Sequence, residues 1–332
     1  MKYAVIDMGS NTIRLCVYQI EGADFHLLFS EKAMAGLAGY VRDGALTREG
    51  IGRACDTLLG FRDLLAQFSI DRTFVFATAS LRNITNTEEA IHAIQARTGF
   101  PIDLISGRDE ALLDFRGSLR SVNLKSGVLL DIGGGSTELL VFDGVTPLLA
   151  RSIPIGSLNL HKAYVRKFLP NPTEQEAIRK RILTEWKSLR ENLDQDARKA
   201  EHEVKTALRR IPEEPDICGV GGTARAALKL INASFDLPPE NREFTARQLH
   251  TLTEELCTRN RDARTQILRI CPDRVHTILP GLLILDTLIG KLGGKHITIS
   301  PYGVREGYLC RQIQRQTENP SNTTFPIPEA GN

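Results

Sequence analysis

Val128-Leu129-Leu130-Asp131-Ile132-Gly133-Gly134-Gly135-Ser136-Thr137-Glu138-Leu139-Leu140-Val141 is the stretch whose reading decides the fold. An apolar run ends in an aspartate. Three glycines, two hydroxyls and a glutamate follow, and a second apolar run begins. The pattern predicts strand, tight loop, strand, because glycines let the backbone turn sharply and leave bare N–H groups beside two carboxylates. Such a loop suits the oxygens of an anion such as phosphate, and the acids beside it suit a hard divalent cation.

The chain uses the same grammar once before. Asp7-Met8-Gly9-Ser10-Asn11-Thr12 is again an apolar strand, an aspartate, an apolar residue, a glycine, a small polar loop and a second strand. Each copy is followed by a further strand (Phe25 to Ser30, Thr146 to Ile153) and then by helix-rich sequence. Two similarly built α/β domains, with their glycine loops facing one another across a cleft, are the simplest arrangement of such a repeat.

Composition agrees with two domains. A chain of 332 residues exceeds one ordinary core, and 42% hydrophobic with 25% charged residues is the balance of a globular protein. A formal net charge of +2 argues against a partner held mainly by charge, such as nucleic acid. The six cysteines form no Cys-x-x-Cys pair, which favours reduced thiols over a metal or disulfide framework. The opening apolar run breaks at Asp7, unlike a signal peptide, and the longest greasy stretch, Ile278 to Ile289, is shorter than the about 20 residues a membrane span needs. The expectation is a cytoplasmic protein with no membrane partner.

Between the glycine loops, Thr47 reads as an N-cap. Behind it Ile51, Ala54, Cys55, Leu58, Phe61, Leu65 and Phe68 recur at helical spacing. Strands are expected at 73–77 and 101–105, each running into a polar turn and a helix (87–97 and 111–119). Polar residues at the carboxyl ends of such strands are where open α/β sheets hold ligands. Further on, Thr173-x-x-Glu176 and Thr245-x-x-Gln248 read as capping boxes. Ile217 to Ala224 is expected to be strand, glycine turn, helix; 279–292 a buried helix; 296–300 a strand; and 304–314 a last helix. The boundaries expected are 1–121 for the first domain, 122–302 for a second domain with helical insertions, 303–316 for a C-terminal helix packing back on the first, and 317–332 for a disordered tail.

Six motifs in order resemble the Ppx/GppA family of exopolyphosphatases and guanosine pentaphosphate phosphatases, within the actin-like superfamily. They are Ile6-Asp7-Met8-Gly9-Ser10-Asn11, Ala77-Thr78-Ala79-Ser80-Leu81-Arg82, Ile105-Ser106-Gly107-x-x-Glu110-Ala111, Asp131 to Glu138, Gly219-Val220-Gly221-Gly222-Thr223-Ala224-Arg225, and Tyr302-Gly303-Val304-Arg305-Glu306-Gly307. The resemblance implies an α/β, two-domain actin-like (ribonuclease H-like) fold with its active site in the interdomain cleft. It departs at Asp109, where the family usually has a glutamate. The chain also has no room for the extra C-terminal helical domain of long members, which puts processivity and chain-length preference in question.

The resemblance assigns the general base to Glu110, and leaves Asp109 as an acid favoured by a helix N-terminus. It assigns phosphate contacts to Arg82, whose planar fork matches a phosphate, and to Gly9, Ser10, Asn11 and Thr12 with Gly133, Gly134, Gly135 and Ser136. Asp131 and Glu138, with Asp7 as a further candidate, are expected to hold Mg²⁺, with Mn²⁺ as an alternative, partly through water. The substrates implied are inorganic polyphosphate or guanosine penta- or tetraphosphate, and a homodimer is compatible with the resemblance. Two rivals remain: a sugar or acid kinase of the same superfamily, and a sensor that binds polyphosphate or (p)ppGpp without cleaving it. Gly219-x-Gly221-x-x-Ala224 fits a dinucleotide fingerprint but lies too late in the chain for one. It is either a nucleotide contact or a close helix–strand contact. Basic runs at Arg179-Lys180-Arg181, Arg198-Lys199, Lys205 and Arg209-Arg210 are a polyanion track or solvated helix faces.

Overall fold

The computed structural model describes residues 1–191, 206–258 and 260–318. Thirteen strands run in chain order through the described residues: β1 (Lys2–Met8), β2 (Ile13–Glu21), β3 (Asp24–Ala33), the two-residue pair β4 (Val41–Arg42) and β5 (Ala45–Leu46), β6 (Arg72–Ala77), β7 (Ile102–Leu104), β8 (Ser126–Ile132), β9 (Thr137–Asp143), β10 (Thr146–Ile153), β11 (Asp216–Val220), β12 (Glu243–Thr245) and β13 (His296–Ile299). Two compact units result among the described residues: Met1–Gly107 together with 308–318, and Arg108–Gly307.

The first unit is built on a sheet of order β3-β2-β1-β6-β7. β1, β2 and β3 form an antiparallel meander, while β6 and β7 join in parallel. The helix Arg48–Leu65 covers it with Ala54, Cys55, Leu58, Phe61 and Leu65, all buried, and Thr47 Oγ1 caps its start by accepting from Gly50 N at 3.2 Å. Phe68, expected to continue that apolar face, falls beyond the helix; its ring lies 5.1 Å from that of Phe29 instead.

The second unit repeats the plan. Its sheet runs β10-β9-β8-β11-β13-β12, a meander joined to two parallel strands with one antiparallel edge strand added. The repeat extends to detail. β1 and β8 are each seven residues long, share one burial pattern, and carry the aspartate at the sixth position. The helix Ile278–Leu292 buries Ile278, Leu279, Leu282, Leu283, Ile284, Leu285, Leu288 and Ile289 and turns Asp286 to its less buried side. Side chains of this size contribute roughly 1.5–3 kcal/mol each when fully buried. Pro280 is tolerated because it sits in the first turn, where an amide N–H has no helical partner.

Several boundaries differ from those read in the sequence. The helix Gly107–Ser118 starts four residues before the expected 111 and belongs to the second unit, so the division falls at 107 rather than 121. Glycines explain its attachment: a Cβ on Gly117 would collide with the backbone of Gly303, and one on Gly307 with the carbonyl of Leu113. The last helix, Val304–Glu318, begins in the second unit and continues in the first, where Tyr308 stacks on Phe76 at 4.7 Å and donates to Asp103 Oδ2 at 2.6 Å. Thr317 and Glu318 belong to that helix, and the remaining expected tail, 319–332, lies outside the described residues.

The helix Pro172–Glu191 is capped by Asn171 and Glu174, not by Thr173 and Glu176: Glu174 N donates to Asn171 Oδ1 and Asn171 N to Glu174 Oε2, each at 3.0 Å. Proline at the first helical position places the cap at the residue before it, two residues back from Thr173. The Thr245 and Gln248 box forms as expected. Among the described residues no helix is long and apolar enough to cross a membrane.

Gly307→Ala is expected to destabilise the protein by about 1–3 kcal/mol, since a backbone carbonyl cannot move aside as a side chain can. Urea unfolding monitored by circular dichroism measures the loss.

Candidate active site

The two glycine loops close in the same way. Gly9 N donates to Thr12 O at 3.0 Å, and Gly133 N to Ser136 O at 2.9 Å. Each loop then has its carbonyls covered by a later segment. In the first unit Gly36 N and Ala38 N donate to Asn11 O and Ser10 O. In the second, Ser157 N donates to Gly133 O, both Leu158 N and Asn159 N donate to Gly134 O, and Asn159 Nδ2 donates to Gly135 O. With the carbonyls turned to this support, the N–H groups of Gly134 and Gly135 have no acceptor among the described residues. They are donors available to an anion. Gly156 makes the support possible, because a Cβ there would overlap the backbone of Gly134 and Gly135.

Asp131 and Glu138 face one another across β8 and β9. Glu138 is buried, and its Oε1 accepts from Ser136 Oγ at 2.8 Å and Ser152 Oγ at 2.7 Å. The Asp131 carboxylate lies in the space that a Cβ on Gly221 would need, and Gly221 has φ +77°, a conformation few other residues adopt. Burial raises the Asp131 pKa; Arg225 is the largest influence opposing it, followed by a hydrogen bond from Asp114, then Arg305 and Arg274. Burial likewise lowers the Arg225 guanidinium to about 10, with Arg305 adding to the fall and Asp131 opposing it.

The helix Gly107–Ser118 brings the remaining acids. Glu110 is buried in its first turn, whereas Asp109 beside it is exposed. One helical turn on, Asp114 is fully buried, and its pKa is pushed well up by burial, then by Asp131, Glu110 and Glu138; the Val304 N–H opposes this. The second unit thus gathers Glu110, Asp114, Asp131 and Glu138 with Arg225, Arg274 and Arg305 beside a loop offering amide donors.

The first unit's counterpart has different chemistry. Asp7 occupies the place of Asp131, but its partner across the hairpin is Arg14 where the second unit has Glu138. Ser80 Oγ donates to Met8 O beside that loop, and Arg82 Nη1 donates to Ile105 O at 2.9 Å. Ser10, Asn11 and Thr12 are all half-buried in the loop.

Sequence reasoning assigned no role to Asp114, Arg274 or the Gly156-Ser157-Asn159 support. Asp114 had a readable signal: it lies four residues from Glu110, on the same helix face. Arg274 had none, being brought in from a distant short helix. The glycines of the late turn lie against the chain's own groups. Gly219 admits Ile299 and Ala224, Gly221 admits Asp131, and Gly222 admits the Arg274 guanidinium. Of the basic runs, Arg179 pairs with Glu254 and Asp286, and Arg181 with Glu185, while Arg198, Lys199 and Lys205 lie outside the described residues.

A family model described as the Ppx/GppA phosphatase family matches residues 16–316. The chain belongs to this family of hydrolases. It is 27% identical over 308 residues to a putative exopolyphosphatase of Haemophilus influenzae, covering 92% of this chain and 90% of that protein. It is also 27% identical over 326 residues to exopolyphosphatase 1 of Mycobacterium tuberculosis, covering 96% and 90%. Among solved structures, an exopolyphosphatase from Cytophaga hutchinsonii superposes with a TM-score of 0.79 at 23% identity, over 95% of this chain and 98% of that one. The Ppx/GppA family member of Aquifex aeolicus gives 0.73 at 21% identity, over 98% and 99%. These similarities establish the actin-like α/β fold in both units.

Gly221→Ala is expected to displace Asp131 and to cost at least about 1–2 kcal/mol from the left-handed backbone alone. A fall in melting temperature together with a loss of phosphate release checks it; retention of both would contradict the packing described.

Proposed function

We propose that this chain is a phosphohydrolase that releases the terminal phosphate of inorganic polyphosphate, with guanosine pentaphosphate as a second candidate substrate. The observation that carries the reading is the second unit's cluster: a buried Glu110 beside acids and arginines, at a glycine loop with amide donors to spare. Phosphoryl transfer to water needs the transferred group's charge offset, a positioned water and an acceptor for its proton. The Gly134 and Gly135 amides take phosphate oxygens, and Arg225, Arg274 and Arg305 supply positive charge. Glu110 accepts the proton of the attacking water, and burial suits it to that role better than the exposed Asp109. In the first unit, the loop from Gly9 to Thr12 and Arg82 are assigned to phosphate binding.

An oxygen-only set of acids fits Mg²⁺ better than a softer metal. Among the described residues, the one group that brings three potential ligand atoms within 4.8 Å of each other is His250, Glu254 and Asp286, where the Arg179 guanidinium already bridges the two acids. The acids at the glycine loop are spaced more widely, as suits an ion that keeps several of its own waters. Asp131 and Glu138 would hold it, with Asp7 a further candidate, and when bound it would neutralise phosphate charge. Polyphosphate is placed first because the relatives named exopolyphosphatase match over nine-tenths or more of this chain.

Phosphate release is to be compared on short polyphosphate, long polyphosphate and guanosine pentaphosphate, with and without Mg²⁺. Glu110→Gln is expected to bind substrate normally and to lose about 10²–10⁴-fold in turnover. Near-normal turnover would remove Glu110 from the role. Phosphate release that requires an added alcohol or carboxylate acceptor would favour a kinase.

A further inference from the structure

The second unit holds a basic cavity built from the chain just beyond the glycine loop's support. The helix Ser157–Tyr164 carries Ser157 and Asn159, which hold the carbonyls of Gly133, Gly134 and Gly135. Two residues past its end, Arg166 and Lys167 begin to line a cavity of 630 Å³. That volume falls within the roughly 300–1,000 Å³ of small-ligand sites. Arg261 and Arg264, in the first turns of the helix Asn260–Ile270, line it from a separate segment.

Four cations therefore converge on one cavity, and the only acid in its lining is Glu174. Glu174 is engaged elsewhere: Oε1 accepts from Arg166 N at 3.3 Å and Oε2 from Asn171 N at 3.0 Å. Among the described residues none of the four cations has an ion-pair partner. A solvated helix face is the competing role, but the basic face at Arg179 and Arg181 is laced with acids, as this cavity is not. Like charges gathered without counter-charge repel one another, so an anion entering the cavity is favoured. Guanidinium groups match phosphate oxygens in particular. The Arg264 guanidinium lies 4.5 Å over the Phe168 ring, which fixes it at the cavity wall. Phe168 also contacts the ring of His276 at 5.1 Å, so the wall presents charge rather than a stacking surface for a base.

We propose that this cavity is a second, non-catalytic site for a run of linked phosphates. Its occupant is either the far part of a chain whose end is being hydrolysed or a separate oligophosphate. The ligand class rests on the hydrolase reading given above; the gathering of unpaired cations does not.

Isothermal titration calorimetry of tripolyphosphate into the full chain, in EDTA, tests the site without turnover. The wild type is expected to show a binding event that Arg166→Gln/Lys167→Gln/Arg261→Gln weakens at least about tenfold, and that added salt weakens too. The melting temperature of this variant without ligand is expected to stay the same or rise. Phosphate release then separates the two occupants. A KM raised for long polyphosphate but not for tripolyphosphate identifies the far part of the same chain, and an unchanged KM for both identifies a separate oligophosphate. Identical binding by variant and wild type would overturn the site, while phosphate release by the wild type would still uphold the hydrolase reading. An equal loss in the control Arg209→Gln/Arg210→Gln would show attraction to any basic surface and overturn the site as well. Binding at the cavity by a chain that releases no phosphate would support the site and remove the hydrolase reading. Should the triple variant fail to fold, Lys167→Glu, a single change at an exposed position, is put through the same titration with the same outcomes.

Discussion

The Asp131 carboxylate occupies the space left by the missing side chain of Gly221, and the rest of the second unit is arranged around that contact. It needs β8 and β11 side by side in parallel, so that the end of one strand meets the glycine turn of the other. It needs Gly221 at φ +77°. It also draws on arginines from three further places: Arg225 one helical turn on, Arg274 from the short helix Pro272–Arg274, and Arg305 at the start of the last helix. A buried carboxylate unsupported by such cations would be costly enough to take up a proton. The arginines oppose the rise that burial imposes on the Asp131 pKa.

The two units show how one backbone plan can carry two chemistries. The hairpins of β1–β2 and β8–β9 share length, register and the hydrogen bond that closes the loop. They differ at the residue opposite the aspartate, Arg14 in one and Glu138 in the other. The first hairpin sets an acid opposite a base; the second sets two acids opposite one another, and Glu138 is itself steadied by Ser136 and Ser152. This asymmetry argues for placing the metal with Asp131 and Glu138 ahead of Asp7.

Much of this was legible in the sequence because the signals were local. The two strand-glycine-strand passages, the Thr47 and Thr245 caps and the apolar helix 278–292 each rest on residues close together in the chain. Glu110 is buried and Asp109 beside it is exposed, a difference that two adjacent acids in a sequence do not announce. What could not be read depended on distance. The division at 107 rests on glycines of the helix 107–118 packing against residues 303–307, and Arg274 joins the site from well over a hundred residues beyond Asp131. The glycine turn 219–222 was ambiguous for the same reason: its spacing reports that something approaches closely, without telling whether that is a nucleotide or the chain's own side chains. Asp114 was within reach of helical periodicity, four residues from Glu110, but its burial among other acids was not.

The account's central claim is that the charge cluster around Asp131 performs hydrolysis. The direct measurement is the single-turnover rate of phosphate release from short polyphosphate by Asp131→Asn, alongside its affinity for the same substrate. The account predicts a folded protein that still binds the chain but whose release rate collapses. A release rate close to that of the unsubstituted protein would contradict it, and would move the chemistry away from the loop on which the second unit is built.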